Sequence, residues 1–175
     1  MARCGGTYFA WQSYEGVKPD CMAVAKAIGN GLPVGAFLLN EEVAASSLVP
    51  GDHGTTYGGN PLVCAAVSAV FDIFEEDGIP AHAAEVGAYL DSRLNELAAK
   101  HSDVVCGRRG KGLIQGLVMK CPVADAIAKS QAKGLLVISA EGNVLRVLPP
   151  LIIEKSHVDE MFGILDEVLI ELSEA

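Results

Sequence analysis

The chain has 175 residues, half of them apolar and a fifth charged, with a formal net charge of −9. That length supports one good-sized domain or two small ones with a real core. The acidic balance excludes nucleic acid as a partner, since phosphate binding needs a basic surface, and no apolar run is long enough to span a membrane.

The opening Met1-Ala2-Arg3-Cys4-Gly5-Gly6-Thr7-Tyr8-Phe9 has no polar lead-in and no capped first element. It suits the middle of a domain, and it carries no basic and apolar leader of the signal-peptide kind. Residues 20–26 and 32–39 read as two short buried strands flanking a glycine turn. The run Pro33-Val34-Gly35-Ala36-Phe37-Leu38-Leu39 is almost unbroken in its apolar character, as in a sheet covered on both faces. Asn40 is placed to cap a short helix with Glu41 and Glu42 in its first turn, and Pro50-Gly51-Asp52-His53-Gly54 breaks it.

Asn60-Pro61 opens the clearest helix, with Asn60 as N-cap and Pro61 in the first turn. Leu62, Ala65, Ala66, Ala69, Val70, Ile73 and Phe74 recur at helical spacing, and Gly78 ends the element. Val63, Val67 and Phe71 make a second apolar face, which predicts broad burial. Another helix follows Pro80, with Val86, Tyr89, Leu90, Leu94 and Leu97 on one side. Val104-Val105 and residues 113–119 read as strands around Gly110-Lys111-Gly112. A helix runs from Pro122 to Gly134. Residues 135–138 and 144–148 read as further strands. Ser156 with Asp159 resembles a capping box before a closing helix whose core face is Val158, Met161, Phe162, Leu165, Val168, Leu169 and Leu172. A small α/β module therefore fills roughly the last eighty residues.

Five cysteines stand at 4, 21, 64, 106 and 121, an odd count with no Cys-x-x-Cys pair. With four scattered histidines, no metal-ligand spacing emerges. Free thiols in a reducing cytoplasm are the simplest reading.

Three segments could carry chemistry. Lys26 lies in Val24-Ala25-Lys26-Ala27-Ile28, directly before Gly29-Asn30-Gly31-Leu32-Pro33. An ammonium in an apolar pocket is disfavoured, so its neutral amine becomes available as a nucleophile for carbonyl groups. The plain alternative is a lysine snorkelling to water. The segment His53-Gly54-Thr55-Thr56-Tyr57-Gly58-Gly59-Asn60-Pro61 gathers two hydroxyls, glycines and a helix start, a combination that suits phosphate; the alternative is an ordinary turn before a capped helix. Arg146 interrupts the apolar strand Val144-Leu145-Arg146-Val147-Leu148-Pro149-Pro150. It is either a carboxylate ligand or an edge-strand arginine facing solvent.

Taken in order and spacing, these segments resemble the class III pyridoxal-phosphate (PLP) aminotransferases, and within them the acetylornithine/ornithine aminotransferase group. The resemblance runs along essentially the whole chain. It implies an α/β fold, the fold type I of PLP-dependent transferases. Residues 1–60 would be the C-terminal part of the large cofactor domain, 61–100 bridging helices, and 101–175 the small C-terminal α/β domain. It implies that Lys26 is the Schiff-base lysine, both catalytic and cofactor-binding. Thr56 would bind the PLP phosphate across a homodimer interface, Thr55 would touch the amino-acid substrate, and Arg146 would hold a substrate carboxylate. The implied reaction moves an amino group between N-acetylornithine and 2-oxoglutarate, in arginine biosynthesis; ornithine and 4-aminobutyrate are alternative donors. A racemase or decarboxylase of the same fold would share Lys26 but fits residues 55–61 less well. Family members are more than twice this length. The Gly-Thr phosphate loop, the stacking aromatic and the aspartate facing the pyridine nitrogen are expected before the part matched by Met1. The chain by itself is therefore expected to be inactive, and a non-catalytic fragment or interaction module is the rival from another class.

Overall fold

The computed structural model describes residues 1–174. The chain divides into two compact units, one formed by Met1 and Phe9–Ile79, the other by Ala2–Tyr8 and Pro80–Ala175.

The first unit is built on an antiparallel ribbon, β1 (Cys21–Ala25) against β2 (Gly35–Leu39), with Ala23 opposite Phe37. Asn40 locks its open end. Its backbone N–H donates to the Asp20 carbonyl at 2.9 Å and its amide to Asp20 Oδ1 at 2.8 Å. The Asn40 Oδ1 in turn accepts from Val43 N–H and starts α1 (Glu41–Ser47), as its N-cap chemistry predicts. Next comes α2 (Pro61–Glu76), closed by Gly78 in a left-handed conformation.

Two expectations for this unit are corrected. The strands are not buried on both faces: Phe37 and Leu38 are nearly half exposed. The ribbon pairs only with itself among the described residues, and in β1 only Met22 and Val24 are half-buried while the alternate residues are exposed. Nor is α2 broadly buried. Val70 and Phe74 are its buried residues, while Leu62 and Ile73 are exposed. The packing partner of α2 is the short turn at residues 26–29, which meets only one stripe of the helix.

The second unit holds most of the core. A four-stranded antiparallel sheet runs in the order β3 (Val105–Lys111), β4 (Ile114–Met119), β6 (Val144–Val147), β5 (Ile138–Ala140). Three helices accompany it: α3 (Ile79–Lys100), α4 (Val123–Ala132) and α5 (Lys155–Ser173). Leu90, Leu94 and Leu97 of α3 meet Val158, Leu165, Val168 and Leu169 of α5 in one cluster with Leu117 and Leu145 of the sheet. Burying each leucine contributes about 2 kcal/mol relative to leaving it in water. The i, i+4, i+7 spacing that predicts these faces is the spacing found.

Here the differences are local. The strand expected at 135–138 begins at Ile138, because Leu135 accepts a role in the helix exit: its N–H donates to the Ser130 carbonyl at 2.9 Å. The last helix starts one residue before Ser156. Glu154 precedes it, and its N–H donates to His157 Nδ1 at 3.0 Å. Asp159 leaves the capping role and accepts from the Tyr89 hydroxyl instead. No helix among the described residues is long and apolar enough to cross a membrane.

Candidate functional site

Lys26 follows β1 directly and has φ +59, a left-handed conformation that residues with a side chain seldom take. Holding it costs of order 1 kcal/mol, and the next residues pin it. They form a tight turn, Lys26–Gly29, in which Ile28 is buried. A Cβ on Gly29 would stand 2.5 Å from Val34 Cγ1, so only glycine lets the turn fold back on the following strand. Asn30, also left-handed, donates to the Ala27 carbonyl at 3.2 Å.

The lysine itself is exposed, which corrects the expectation of an apolar pocket. The turn buries Ile28 and leaves Ala25, Lys26 and Ala27 outside. Its amine enters no hydrogen bond or ion pair among the described residues. It is an uncommitted primary amine on a strained, well-fixed backbone.

Thr55 and Thr56 are exposed, and their hydroxyls likewise have no partner among the described residues. The Gly58 N–H donates to the Thr55 carbonyl at 3.4 Å. A Cβ on Gly58 would fall 2.2 Å from Thr55 Cγ2, so the missing side chain makes room for the threonine methyl. The start of α2 is satisfied from within. Asn60 Oδ1 accepts from Leu62 N–H at 3.0 Å and Val63 N–H at 3.4 Å, and the Asn60 carbonyl accepts from Cys64 N–H. Among the described residues, the donors left without a partner in this segment are therefore the threonine hydroxyls rather than the capped N–H groups. An open cleft of about 810 Å³ has Thr55, Gly58, Asn60, Val34 and Val67 in its wall. The structure brings Thr55 into this cleft; Lys26 and Thr56 are not part of its wall.

Arg146 belongs to the other unit. It is not on an edge strand: β6 is paired on both sides, with Arg146 opposite Gly116 of β4 and Ile138 of β5. A Cβ on Gly116 would lie 2.5 Å from Val144 Cγ1 and 2.8 Å from the Leu145 carbonyl oxygen, so glycine lets β6 pack tightly there. Val144, Leu145 and Val147 are buried while Arg146 is half-buried. Close to it stands a residue that no sequence motif singles out. Arg3 donates from Nη1 to the carbonyl of Pro149, 146 positions away. No spacing rule reaches across that separation.

A model of the family Aminotransferase class-III matches residues 1–169. The chain belongs to the class III PLP-dependent aminotransferases. Over 164 residues it is 43% identical to the acetylornithine aminotransferase of Aquifex aeolicus, covering 94% of this chain and 41% of that protein. The acetylornithine aminotransferase of Methanocaldococcus jannaschii is 42% identical over 174 residues, or 97% of this chain and 43% of the relative. Among solved structures, the acetylornithine aminotransferase of Elizabethkingia anophelis superposes with a TM-score of 0.86 at 28% identity, over 97% of this chain and 43% of that one. An ornithine aminotransferase from Plasmodium yoelii gives 0.80 at 30% identity, over 89% of this chain and 42% of that one. The chain thus has the α/β architecture of fold type I transferases, and it spans about two fifths of the length of the relatives it matches.

The residues present fit the anchoring end of the family's cofactor in kind. Among the described residues, a primary amine without a competing acid is available at Lys26, and two hydroxyls without partners are available at Thr55 and Thr56. A carboxylate partner would hold the amine as ammonium, and an internally bonded hydroxyl would have to be released before it could meet a phosphate.

Proposed function

We propose that this chain is the C-terminal part of an aminotransferase that moves an amino group between N-acetylornithine and 2-oxoglutarate. The observation that carries the reading is the set of relatives named acetylornithine aminotransferase, at 39 to 43% identity over nine tenths or more of this chain. Residues 1–60 belong in this reading to the large cofactor domain, 61–100 to bridging helices and 101–175 to the small domain.

When bound, PLP supplies an electron sink beside the substrate Cα. Lys26 is the anchoring amine, and Lys26 Nζ in its neutral form takes the proton from the substrate Cα. Its fixed left-handed backbone supports this role, because a base must hold its position to within hydrogen-bond reach. Thr56 Oγ1 donates to the cofactor phosphate and Thr55 Oγ1 orients the amino-acid substrate. Arg146 takes a substrate carboxylate through its planar fork of donors. We further propose a homodimer in the cytoplasm, with Thr56 serving the neighbouring subunit's site. The exposure of Thr55, Thr56 and Tyr57 supports the first part, and five free cysteines support the second.

The test is a donor panel on the full-length enzyme with PLP and 2-oxoglutarate. N-acetylornithine should give the highest kcat/KM of N-acetylornithine, ornithine and 4-aminobutyrate. A clear preference for 4-aminobutyrate would overturn the substrate assignment.

A further inference from the structure

Six cations of the second unit are half-buried: Arg3, Arg93, Arg108, Lys129, Lys133 and Arg146. Four of them have a carboxylate. Arg93 pairs with Glu96 and Asp159, Arg108 with Asp91, Lys129 with Glu171, and Lys133 with Glu167 and Glu171. Among the described residues Arg3 and Arg146 have none, in a chain with 22 acidic residues to draw on. The two unpaired charges are also neighbours. Burial first, and then the charge of Arg146, push the Arg3 guanidinium below its usual range. Two like charges brought together in a partly dehydrated place destabilise the fold unless something negative joins them.

The approach is built by the backbone. The Arg3 carbonyl accepts from Leu113 N–H at 2.6 Å. A Cβ on Gly112 would stand 2.2 Å from that same carbonyl oxygen, and one on Gly5 would stand 2.7 Å from Ala84 Cα. Glycines therefore let residues 2–8 seat tightly against α3 and the β3–β4 turn. The Arg3 side chain then reaches the Pro149 carbonyl, just beyond the strand that carries Arg146.

We propose that Arg3 and Arg146 form one anion site for a carboxylate, with Arg146 the contact residue and Arg3 the positioning residue. Arg3 fixes the exit of β6 through the Pro149 carbonyl and adds a second positive charge. The inference rests on the reading of Arg146 as the carboxylate ligand. The anion neutralises the pair, so binding relieves the repulsion between the two guanidinium groups. A short dicarboxylate such as glutarate is the simplest probe, since it carries the charge without an amine.

Glutarate is titrated calorimetrically into this chain and into Arg146→Gln, Arg3→Gln and Arg3→Lys, with circular dichroism to confirm folding. Arg146→Gln should abolish measurable binding. Arg3→Gln should weaken it about tenfold, the scale of one charge-assisted hydrogen bond. Arg3→Lys, which keeps the charge, should recover to within about threefold of the parent. Arg3→Gln binding as tightly as the parent overturns the role of Arg3 and leaves that of Arg146 standing. Arg3→Lys binding no better than Arg3→Gln reduces Arg3 to a prop for the strand and overturns the charge role. Indifference of binding to Arg146→Gln, or no binding by the parent, overturns the Arg146 reading itself. Should a variant unfold, the arginine Nε–H resonances of the parent give the answer. Those of Arg3 and Arg146 should both move with glutarate and stay fixed with neutral glutaramide; an unmoved Arg3 contradicts the proposal.

Discussion

Asp166 Oδ1 of α5 stands 2.6 Å from Nε2 of His101, at the end of α3, while its other oxygen takes Lys100 Nζ at 2.7 Å. The carboxylate thus ties the two principal helices of the second unit together. Lys100 first, and then His101, hold its carboxyl below the usual range. A depressed folded value means that the stabilisation is fully present above the unfolded value near ~3.9 and is lost as pH falls through the lower folded value. Urea denaturation should show stability falling as the pH drops below about 4. Asp166→Asn should flatten that decline and lower stability at neutral pH.

Gly112 carries φ +57, and a Cβ there would meet the Arg3 carbonyl oxygen at 2.2 Å. Both the left-handed strain and the backbone clash oppose any side chain. Gly112→Ala should destabilise the chain by roughly 2–3 kcal/mol in urea or thermal unfolding. It should also loosen residues 2–8, seen as faster amide exchange at Leu113, whose N–H donates to Arg3.

Asn60 accepts two N–H groups at the start of α2. Asn60→Ala should cost about 1 kcal/mol. Asn60→Asp should be close to neutral in stability, because the carboxylate keeps the cap and favours the helix N-terminus. Equilibrium denaturation of the two variants separates capping from mere shape.

The contrast between the two units shows what was legible in the sequence. Leu90, Leu94, Leu97, Leu165 and Leu169 declare their helices because period and burial agree there, and α3 and α5 bury the faces their spacing marks. Asn40 and Asn60 declare their caps because the chemistry is local. Phe37 and Leu38 mislead for the opposite reason: apolar character marks a surface to be covered, and here both side chains stay nearly half exposed. Lys26 combines both lessons. Its flanking residues single it out, yet the side chain is exposed, since the turn buries Ile28 and Gly29 and leaves Lys26 outside. Arg3 was illegible, because its contact with Pro149 is purely tertiary.

The exposure of Lys26, Thr55 and Thr56 carries a consequence for the chain on its own. Among the described residues nothing excludes water from the amine. The 175-residue chain mixed with PLP, N-acetylornithine and 2-oxoglutarate should show no sustained transamination above free PLP in solution. Enzyme-level turnover by this chain would show that its own residues complete the site.

The central claim is that Lys26 is the cofactor lysine. Borohydride reduction of the full-length enzyme with PLP, followed by peptide mapping, tests it most directly. The account predicts a single reduced adduct on Lys26, with Lys26→Ala leaving the protein folded and unlabelled. A stoichiometric adduct on any other lysine, with Lys26 unmodified, would contradict it.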